Sequence, residues 1–138
     1  MKLSARNQLK GKVVEVDKGA VNGVVKLDVN GQVITSVITL NAIADLDLKA
    51  GGSAIAVIKA SEVMITTDEN IKISGRNIIA GEVEAVEQGA VNGIVKLNTK
   101  AGKITASITV NAIADLGLTR GTKAAAVIKA SNVMIGVE

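Results

Sequence analysis

Two short polar segments occur twice in the sequence, and in each case the copies lie 70 residues apart. Ser4-Ala5-Arg6-Asn7 returns as Ser74-Gly75-Arg76-Asn77, and Lys59-Ala60-Ser61 returns as Lys129-Ala130-Ser131. Arginine presents a planar fork of N–H donors that suits a tetrahedral oxyanion, lysine adds an ammonium, and serine and asparagine add neutral donors. No acid–base group accompanies them. The segments together predict a pocket that binds a dianion reversibly and leaves it chemically unchanged.

A third recurrent segment is rich in glycine and lies between two predicted strands. Gly19-Ala20-Val21-Asn22-Gly23 returns without change as Gly89-Ala90-Val91-Asn92-Gly93. Its glycines permit unusual backbone angles that leave amide N–H groups free to converge on an anion. These loops are therefore candidates for a second class of anion site, formed by Gly19, Ala20, Val21 and Asn22 and by Gly89, Ala90, Val91 and Asn92.

Each of these segments also has a purely structural interpretation. The Ser-x-Arg-Asn segment is compatible with the solvated start of a strand, and Lys-Ala-Ser is compatible with an ordinary turn. The glycine-rich loop is compatible with a plain connection between strands. Exposed Lys and Arg are common on any protein surface, so the residues alone leave both interpretations open.

The composition excludes most catalytic chemistry. The 138 residues include no His, Cys, Phe, Tyr, Trp or Pro. Without His or Cys, a Ser-His-Asp or Cys-His nucleophile cannot be assembled, and the usual ligands of zinc and copper are missing. The Asp and Glu residues are scattered singly, unlike the dense oxygen-ligand loop that calcium needs. We therefore expect a protein that is not an enzyme and that holds neither a bare metal cation nor an organic cofactor.

Charge and hydropathy narrow the range of partners. The net charge is only +3, and no aromatic side chain is present on which a base could stack, so we expect no nucleic-acid partner. Apolar runs such as residues 54–58 are far shorter than the roughly 20 residues that span a bilayer. We see no signal-peptide pattern, and the absence of cysteine fits a reducing compartment. We expect a cytoplasmic protein without a membrane partner.

The whole sequence is a tandem repeat. When it is shifted by 70 residues it aligns with itself without a gap, and just over half of the aligned pairs are identical. Self-similarity of this kind indicates two copies of one structural unit. We place the first repeat at residues 1–67 and the second at residues 71–138.

Each repeat has the pattern of a small β-barrel. In the first repeat, β-branched and alternating segments predict strands at 11–17, 24–29, 33–40, 54–59 and 63–65. Asn30-Gly31 is a strong signal for a hairpin turn, and Asn41 is a suitable N-cap for one short helix at 42–46. Five short strands with one helical turn favour an all-β fold of two five-stranded barrels of the oligonucleotide/oligosaccharide-binding (OB) type.

The absence of aromatic residues has a consequence for assembly. Aromatic side chains usually supply the largest buried areas, and a small domain buries a smaller fraction of its surface than a large one does. Disulfides and structural metals are excluded by the composition. We therefore expect the two repeats to share a core and the chain to form a homo-oligomer.

Three motifs resemble those of a known family. The opening Ser-Ala-Arg-Asn-Gln-Leu-Lys-Gly, the Gly-Ala-Val-Asn-Gly loop and the closing Val-Ile-Lys-Ala-Ser-x-Val-Met resemble the Mop domain, a molybdate-binding domain of the TOBE type. Their double occurrence resembles the di-Mop molbindins. The resemblance covers essentially the whole chain. The second copy departs at Gly75 and Ile78, which replace Ala and Gln, and neither change removes a charged donor.

The resemblance implies barrels that exchange strands, assembled around a threefold axis, which for a two-repeat chain means a homotrimer. It implies that molybdate or tungstate binds at interfaces between repeats and that the protein stores the anion and maintains molybdenum homeostasis. It also implies that the polar segments line the first class of site, through Ser4, Arg6, Asn7, Lys59, Ala60 and Ser61 and through Ser74, Arg76, Asn77, Lys129, Ala130 and Ser131.

Two other function classes compete with storage. One is a molybdate-sensing regulatory module that acts through a partner protein, because similar tandem domains occur attached to DNA-binding or transport-ATPase regions. The sequence contains neither a helix-turn-helix segment nor a Walker motif. The other is a nucleic-acid-binding barrel, against which the missing aromatic residues argue.

Overall fold

A computed structural model describes residues 1–74 and 76–138, without the side chain of Arg76. In these residues the fold is nearly all β, with ten strands, two short helices and two 3-10 turns. The first repeat contains β1 (Asn7–Lys18), β2 (Asn22–Val29), β3 (Gln32–Thr39), α1 (Leu40–Asp45), β4 (Ser53–Ile58), a 3-10 turn (Ala60–Glu62) and β5 (Met64–Thr66). The second contains β6 (Arg76–Gln88), β7 (Asn92–Thr99), β8 (Gly102–Thr109), α2 (Val110–Leu116), β9 (Lys123–Lys129), a 3-10 turn (Ala130–Asn132) and β10 (Met134–Gly136).

The strands form two curled five-stranded sheets that exchange their last strands. The strand orders are β10-β4-β1-β2-β3 and β5-β9-β6-β7-β8. The last strand of each repeat therefore pairs with the sheet of the other repeat, through Ile135↔Ala56 and Ile65↔Ala126. Each barrel is completed by the partner repeat. This confirms the OB-like architecture with exchanged strands.

Most local predictions for the first repeat are confirmed. The hairpin turn has positive φ at Asn30 (52°) and Gly31 (87°), which the turn between two twisted antiparallel strands requires. The first strand begins at Asn7 instead of residue 11, because residues 7–12 pair with β4, and it then continues through a bulge between Val13 and Glu15 into its pairing with β2. A bulge bends a strand and increases its twist, which lets one long strand curl around the barrel.

The predicted helix cap is wrong by two residues. The helix begins at Leu40, and the N-cap is Thr39, whose side chain accepts a hydrogen bond from the Ala42 N–H at 3.1 Å. Asn41 lies inside the helix. The tertiary structure sets this start, because the Leu40 N–H already donates to the Val21 carbonyl at 3.0 Å, where the loop before β2 ends. Thr109 caps α2 in the same way.

One hydrophobic core runs through both repeats. Leu27 and Ile34 from the first repeat belong to the same buried cluster as Leu97 and Ile104 from the second. The prediction that the repeats share a core is therefore confirmed. Aliphatic side chains from both repeats together supply the burial that neither aromatic-free repeat provides alone. Within the described residues, neither helix is long or apolar enough to cross a membrane.

Candidate functional site

The structure gathers most of the predicted anion ligands of the first repeat in one surface cleft. The cleft has a volume of about 340 Å³. Its polar wall contains Ser4, Arg6, Lys59 and Ser61, and Ala60 lies between the last two. Leu3, Ala5 and Met134 form its apolar wall. Two short segments that lie more than fifty residues apart in the sequence thus form a single site.

Strand pairing explains why these residues meet. Strands β1 and β4 are antiparallel, and their last paired residues are Asn7 and Ile58. Arg6 directly precedes Asn7 and Lys59 directly follows Ile58, so both residues lie at the same end of the sheet. The chain then enters the 3-10 turn Ala60–Glu62, in which the Glu62 N–H donates to the Lys59 carbonyl at 2.9 Å. This turn holds Ser61 beside Lys59.

The electrostatics of the cleft favour an anion. Arg6 is oriented by a 3.0 Å hydrogen bond from its Nε to the Ser4 carbonyl, which involves neither Nη group. Among the described residues, the ion pairs do not include Arg6 or Lys59. Two cationic side chains therefore line one cleft without an ion-paired carboxylate, and an incoming dianion would supply the opposite charge.

A larger cleft elsewhere on the surface has different electrostatics. It has a volume of about 420 Å³ and is lined by Lys10, Ser53 and Glu138, among others. Lys10 Nζ lies 3.0 Å from Glu138 Oε1. The hydrogen bond from Lys10 and the positive charges of Lys10 and the chain's N-terminus lower the pKa of Glu138, so this carboxyl stays ionised at neutral pH. Because Lys10 is already paired with Glu138, this cleft is a poorer anion site than the one at Arg6 and Lys59, although it is larger.

Asn7 and Asn77 occupy a different place from the other predicted ligands. Both are buried, with 2% and 5% of their surface exposed. The Asn7 side-chain amide donates to the carbonyls of Ile58 (3.2 Å) and Thr105 (2.9 Å), and its oxygen accepts from the Thr105 N–H (2.7 Å). Asn77 makes the equivalent bonds to Ile128 and Thr35. Each asparagine therefore ties its own strand to an edge strand of the other repeat, and its two N–H donors are already used.

The second copy of the site has the same backbone arrangement. Arg76 pairs with Lys129 at the ends of β6 and β9, and the 3-10 turn Ala130–Asn132 follows. Lys129, Ala130 and Ser131 thus stand as their counterparts do in the first repeat, and Ser74 comes just before the strand. The Arg76 side chain, which is part of the prediction, lies outside the described residues.

The glycine-rich loops are not part of this cleft. Residues 19–23 follow the far end of β1, at the opposite end of the strand from Arg6. The Gly19 N–H donates to the Asn22 carbonyl at 2.9 Å, which makes the loop a tight turn. Val21 and Val91 are 73% and 69% exposed, although both are large and apolar. The two loops form a separate exposed feature, and a second class of anion site there stays a prediction.

The site contains residues that the sequence did not reveal. Met134 reaches the cleft only because β10 is exchanged onto the first sheet. Outside the cleft, Thr35 and Thr105 hold Asn77 and Asn7 through backbone groups, which carry no signal in a sequence. In the part of the chain that the structure describes, no group of three or more acidic residues is placed to hold a metal ion.

The fold and the cleft define the class of protein: a two-repeat, strand-exchanged OB-like barrel with a basic surface cleft at the junction of the repeats. The family model for the TOBE domain matches the chain twice, at residues 3–65 and 73–135. The chain therefore belongs to the TOBE domain family, as tandem copies of that domain.

Individual proteins agree with this assignment. A solved structure described as the cytoplasmic molybdate-binding protein ModG, with molybdate bound, covers 100% of both chains with 45% identity and a TM-score of 0.96. The molybdenum transport protein ModE of Herbaspirillum seropedicae is 42% identical over 100% of this chain and 52% of its own length. A probable molybdenum-pterin-binding protein of Haemophilus influenzae is 50% identical over 47% of this chain and 96% of its own length. The chain thus spans about half the length of the ModE relative. The smaller relative matches about half of this chain over nearly its own full length.

Proposed function

We propose that this chain binds molybdate, or the similar oxyanion tungstate, in the cytoplasm and stores it without transforming it. The observation that carries the proposal is the cleft that joins Arg6 and Lys59 with two hydroxyl groups and no ion-paired carboxylate. Such a site offers donors and positive charge to a tetrahedral dianion. The described function of the ModG structure and the names of the relatives support the same ligand.

We propose two kinds of role for the predicted residues. Ser4, Arg6, Lys59, Ala60 and Ser61 contact the anion in the first repeat, and Ser74, Arg76, Lys129, Ala130 and Ser131 do so in the second. Asn7 and Asn77 act through their backbone and by holding the two repeats together. The repeats themselves are residues 1–67 and 71–138, although each barrel takes its last strand from the other repeat.

Storage is favoured over sensing through a partner protein. The ModG structure, which this chain matches from end to end, is described only as a molybdate-binding protein. The absence of His and Cys supports binding without catalysis, because no nucleophile–base pair is available.

The direct test is molybdate titration of Arg6→Ala and Lys59→Ala by calorimetry. Each variant removes a charged donor from the first site, so we expect molybdate binding at that site to weaken by about tenfold to a hundredfold, the usual range for a hydrogen bond to a charged group, while the second site keeps its affinity. Lys49→Ala is the matched control, because it removes one lysine charge from an exposed turn away from the cleft. Unchanged affinity in both site variants would show that these residues are only a solvated surface.

We propose further that the protein assembles as a homotrimer. The apolar residues beside the cleft are exposed, with Leu3 at 48% and Met134 at 46%, and the glycine-rich loops expose Val21 and Val91 even more. Exposed apolar side chains next to a binding site are typical of surfaces that a partner covers. Sedimentation at micromolar concentration should give three times the chain mass of 14.0 kDa. A monodisperse monomer would contradict this proposal.

A further inference from the structure

The two copies of the anion site differ in charge at the residue that follows the Lys-Ala-Ser segment. Lys59, Ala60 and Ser61 are followed by Glu62, whereas Lys129, Ala130 and Ser131 are followed by Asn132. The two residues occupy the same place, as the last residue of each 3-10 turn. The turn of the first site therefore ends in a residue with a carboxylate, and the turn of the second site ends in a residue with a neutral amide.

The structure places Glu62 close to the anion ligands. Its N–H donates to the Lys59 carbonyl at 2.9 Å, so both residues belong to one tight turn that also contains Ser61. Glu62 is half-buried, which limits the solvent screening of its charge. A carboxylate carried on the same turn as the anion ligands repels a bound dianion, and the repulsion grows as screening by salt falls.

A second difference concerns how firmly each turn is held. The Ser36 hydroxyl is fully buried in β3 and donates to the Val133 carbonyl at 2.6 Å. Val133 directly follows the turn Ala130–Asn132, so this bond anchors the end of the turn at the second site. The equivalent residue in β8 is Ala106, which has no hydroxyl to anchor Val63 at the first site.

The burial of the two turns agrees with this difference. Ala130 is 8% exposed, whereas its counterpart Ala60 is only half-buried. A ligand-binding turn that is already fixed loses less conformational freedom when the ligand binds. Both differences therefore act in the same direction, because the second site has less repulsion and a better-anchored turn.

We propose that the two sites of one chain have unequal affinities: the site at Lys129–Ser131 binds the oxyanion more tightly and fills first, and Glu62 keeps the site at Lys59–Ser61 weaker. Ser36 is a positioning residue for the tighter site. The inference rests on the proposed function. Its consequence is that one chain takes up the anion over a wider concentration range than two equal sites would.

The test measures each site separately by titration with sodium molybdate. Lys129→Ala weakens the second site, so that the titration reports mainly on the first, and Lys59→Ala does the reverse. We expect tighter binding in the Lys59→Ala background. In the Lys129→Ala background, Glu62→Asn and Glu62→Gln should each tighten binding by about threefold to tenfold at low ionic strength. Asn132→Glu in the Lys59→Ala background should weaken binding by a similar factor.

Two further measurements distinguish a charge effect and a positioning effect from general structural damage. The gain from Glu62→Gln should shrink as sodium chloride is raised, because salt screens the charge of the carboxylate. Ser36→Ala should weaken binding in the Lys59→Ala background and leave the affinity in the Lys129→Ala background unchanged.

The possible failures are distinct. Equal affinities in the two single-site backgrounds, or a Glu62→Gln variant with unchanged affinity, would overturn this inference while molybdate binding itself stood. If the unsubstituted protein bound no molybdate, the proposed function and this inference would both fall.

Discussion

Replacing Asn7 and Asn77 together by alanine should lower the free energy of unfolding by about 4–8 kcal/mol, which is comparable with the whole stability of many domains. Each buried asparagine makes three hydrogen bonds, one of them buried and two partly buried. Alanine removes all three and leaves the backbone groups of the partly buried Thr105 or Thr35 without their partners. The cost of an unsatisfied buried group is typically about 1–3 kcal/mol.

The physical reason is that each asparagine replaces a missing strand. Strands β3 and β8 lie at the edges of their sheets. The Asn7 amide gives the Thr105 backbone both an acceptor and a donor, as a neighbouring strand would. Asn77 does the same for Thr35. The hydrogen bonds of Asn7 and those of Asn77 link different edges of the sheets, so the effects of the two substitutions should be nearly additive.

Urea unfolding followed by circular dichroism measures this effect. The control is the double variant Asn41→Ala and Asn111→Ala, which removes two exposed asparagines at equivalent helix positions. Substitutions at such surface positions usually change stability by less than about 0.5 kcal/mol. If the Asn7→Ala and Asn77→Ala double variant and the control unfolded at the same urea concentration, the hydrogen bonds between the repeats would contribute nothing measurable to stability.

The second large effect is stabilisation by the ligand. A ligand that binds only the folded state stabilises it by roughly 2.7 kcal/mol per site at a hundredfold excess over Kd. With one site in each repeat, the total would be about 5.4 kcal/mol per chain under the same assumption. Molybdate should therefore raise the melting temperature markedly, and tungstate, a tetrahedral dianion of nearly the same size, should do the same.

Thermal unfolding with equal concentrations of molybdate, tungstate and sulfate at fixed ionic strength measures this shift. Sulfate is a smaller dianion without a proton, so it keeps the charge and changes only the fit. Phosphate should stabilise less than molybdate, because at neutral pH it is partly monoanionic and carries a proton that donor-only ligands do not accept. Equal shifts with all three dianions would indicate general charge screening instead of a site. A Lys59→Ala and Lys129→Ala double variant should lose most of the molybdate shift.

Local sequence patterns were sufficient to predict the order of the strands and most of their bounds, although not the start of β1. A hairpin turn such as Asn30-Gly31 and a strand of β-branched residues depend on interactions between near neighbours in the sequence. The repeat shows the same local pattern twice. The polar segments around Arg6 and Lys59 could also be recognised locally, because each lies next to the end of a predicted strand. Residue type and position in a strand are enough to propose an oxyanion site there.

The position of the helix start was decided by tertiary structure. Asn41 and Thr39 are both good N-caps by residue type. Thr39 takes the role because the Leu40 N–H is held by the Val21 carbonyl from another part of the chain. No local pattern contains that contact, so the sequence alone could not choose between the two residues.

The strand exchange and the role of the asparagines also depend on long-range contacts. In either arrangement β5 would show the same short apolar pattern, and only the packing of two nearly identical repeats decides which sheet it joins. The family resemblance supplied that expectation, whereas periodicity did not. Asn7 has the residue type of an anion ligand, yet its amide is used up by the backbone of Thr105, 98 positions away. The sequence shows which hydrogen-bonding groups a side chain has. Only the tertiary structure determines the partner of a buried amide, because packing excludes water, which would otherwise be its partner.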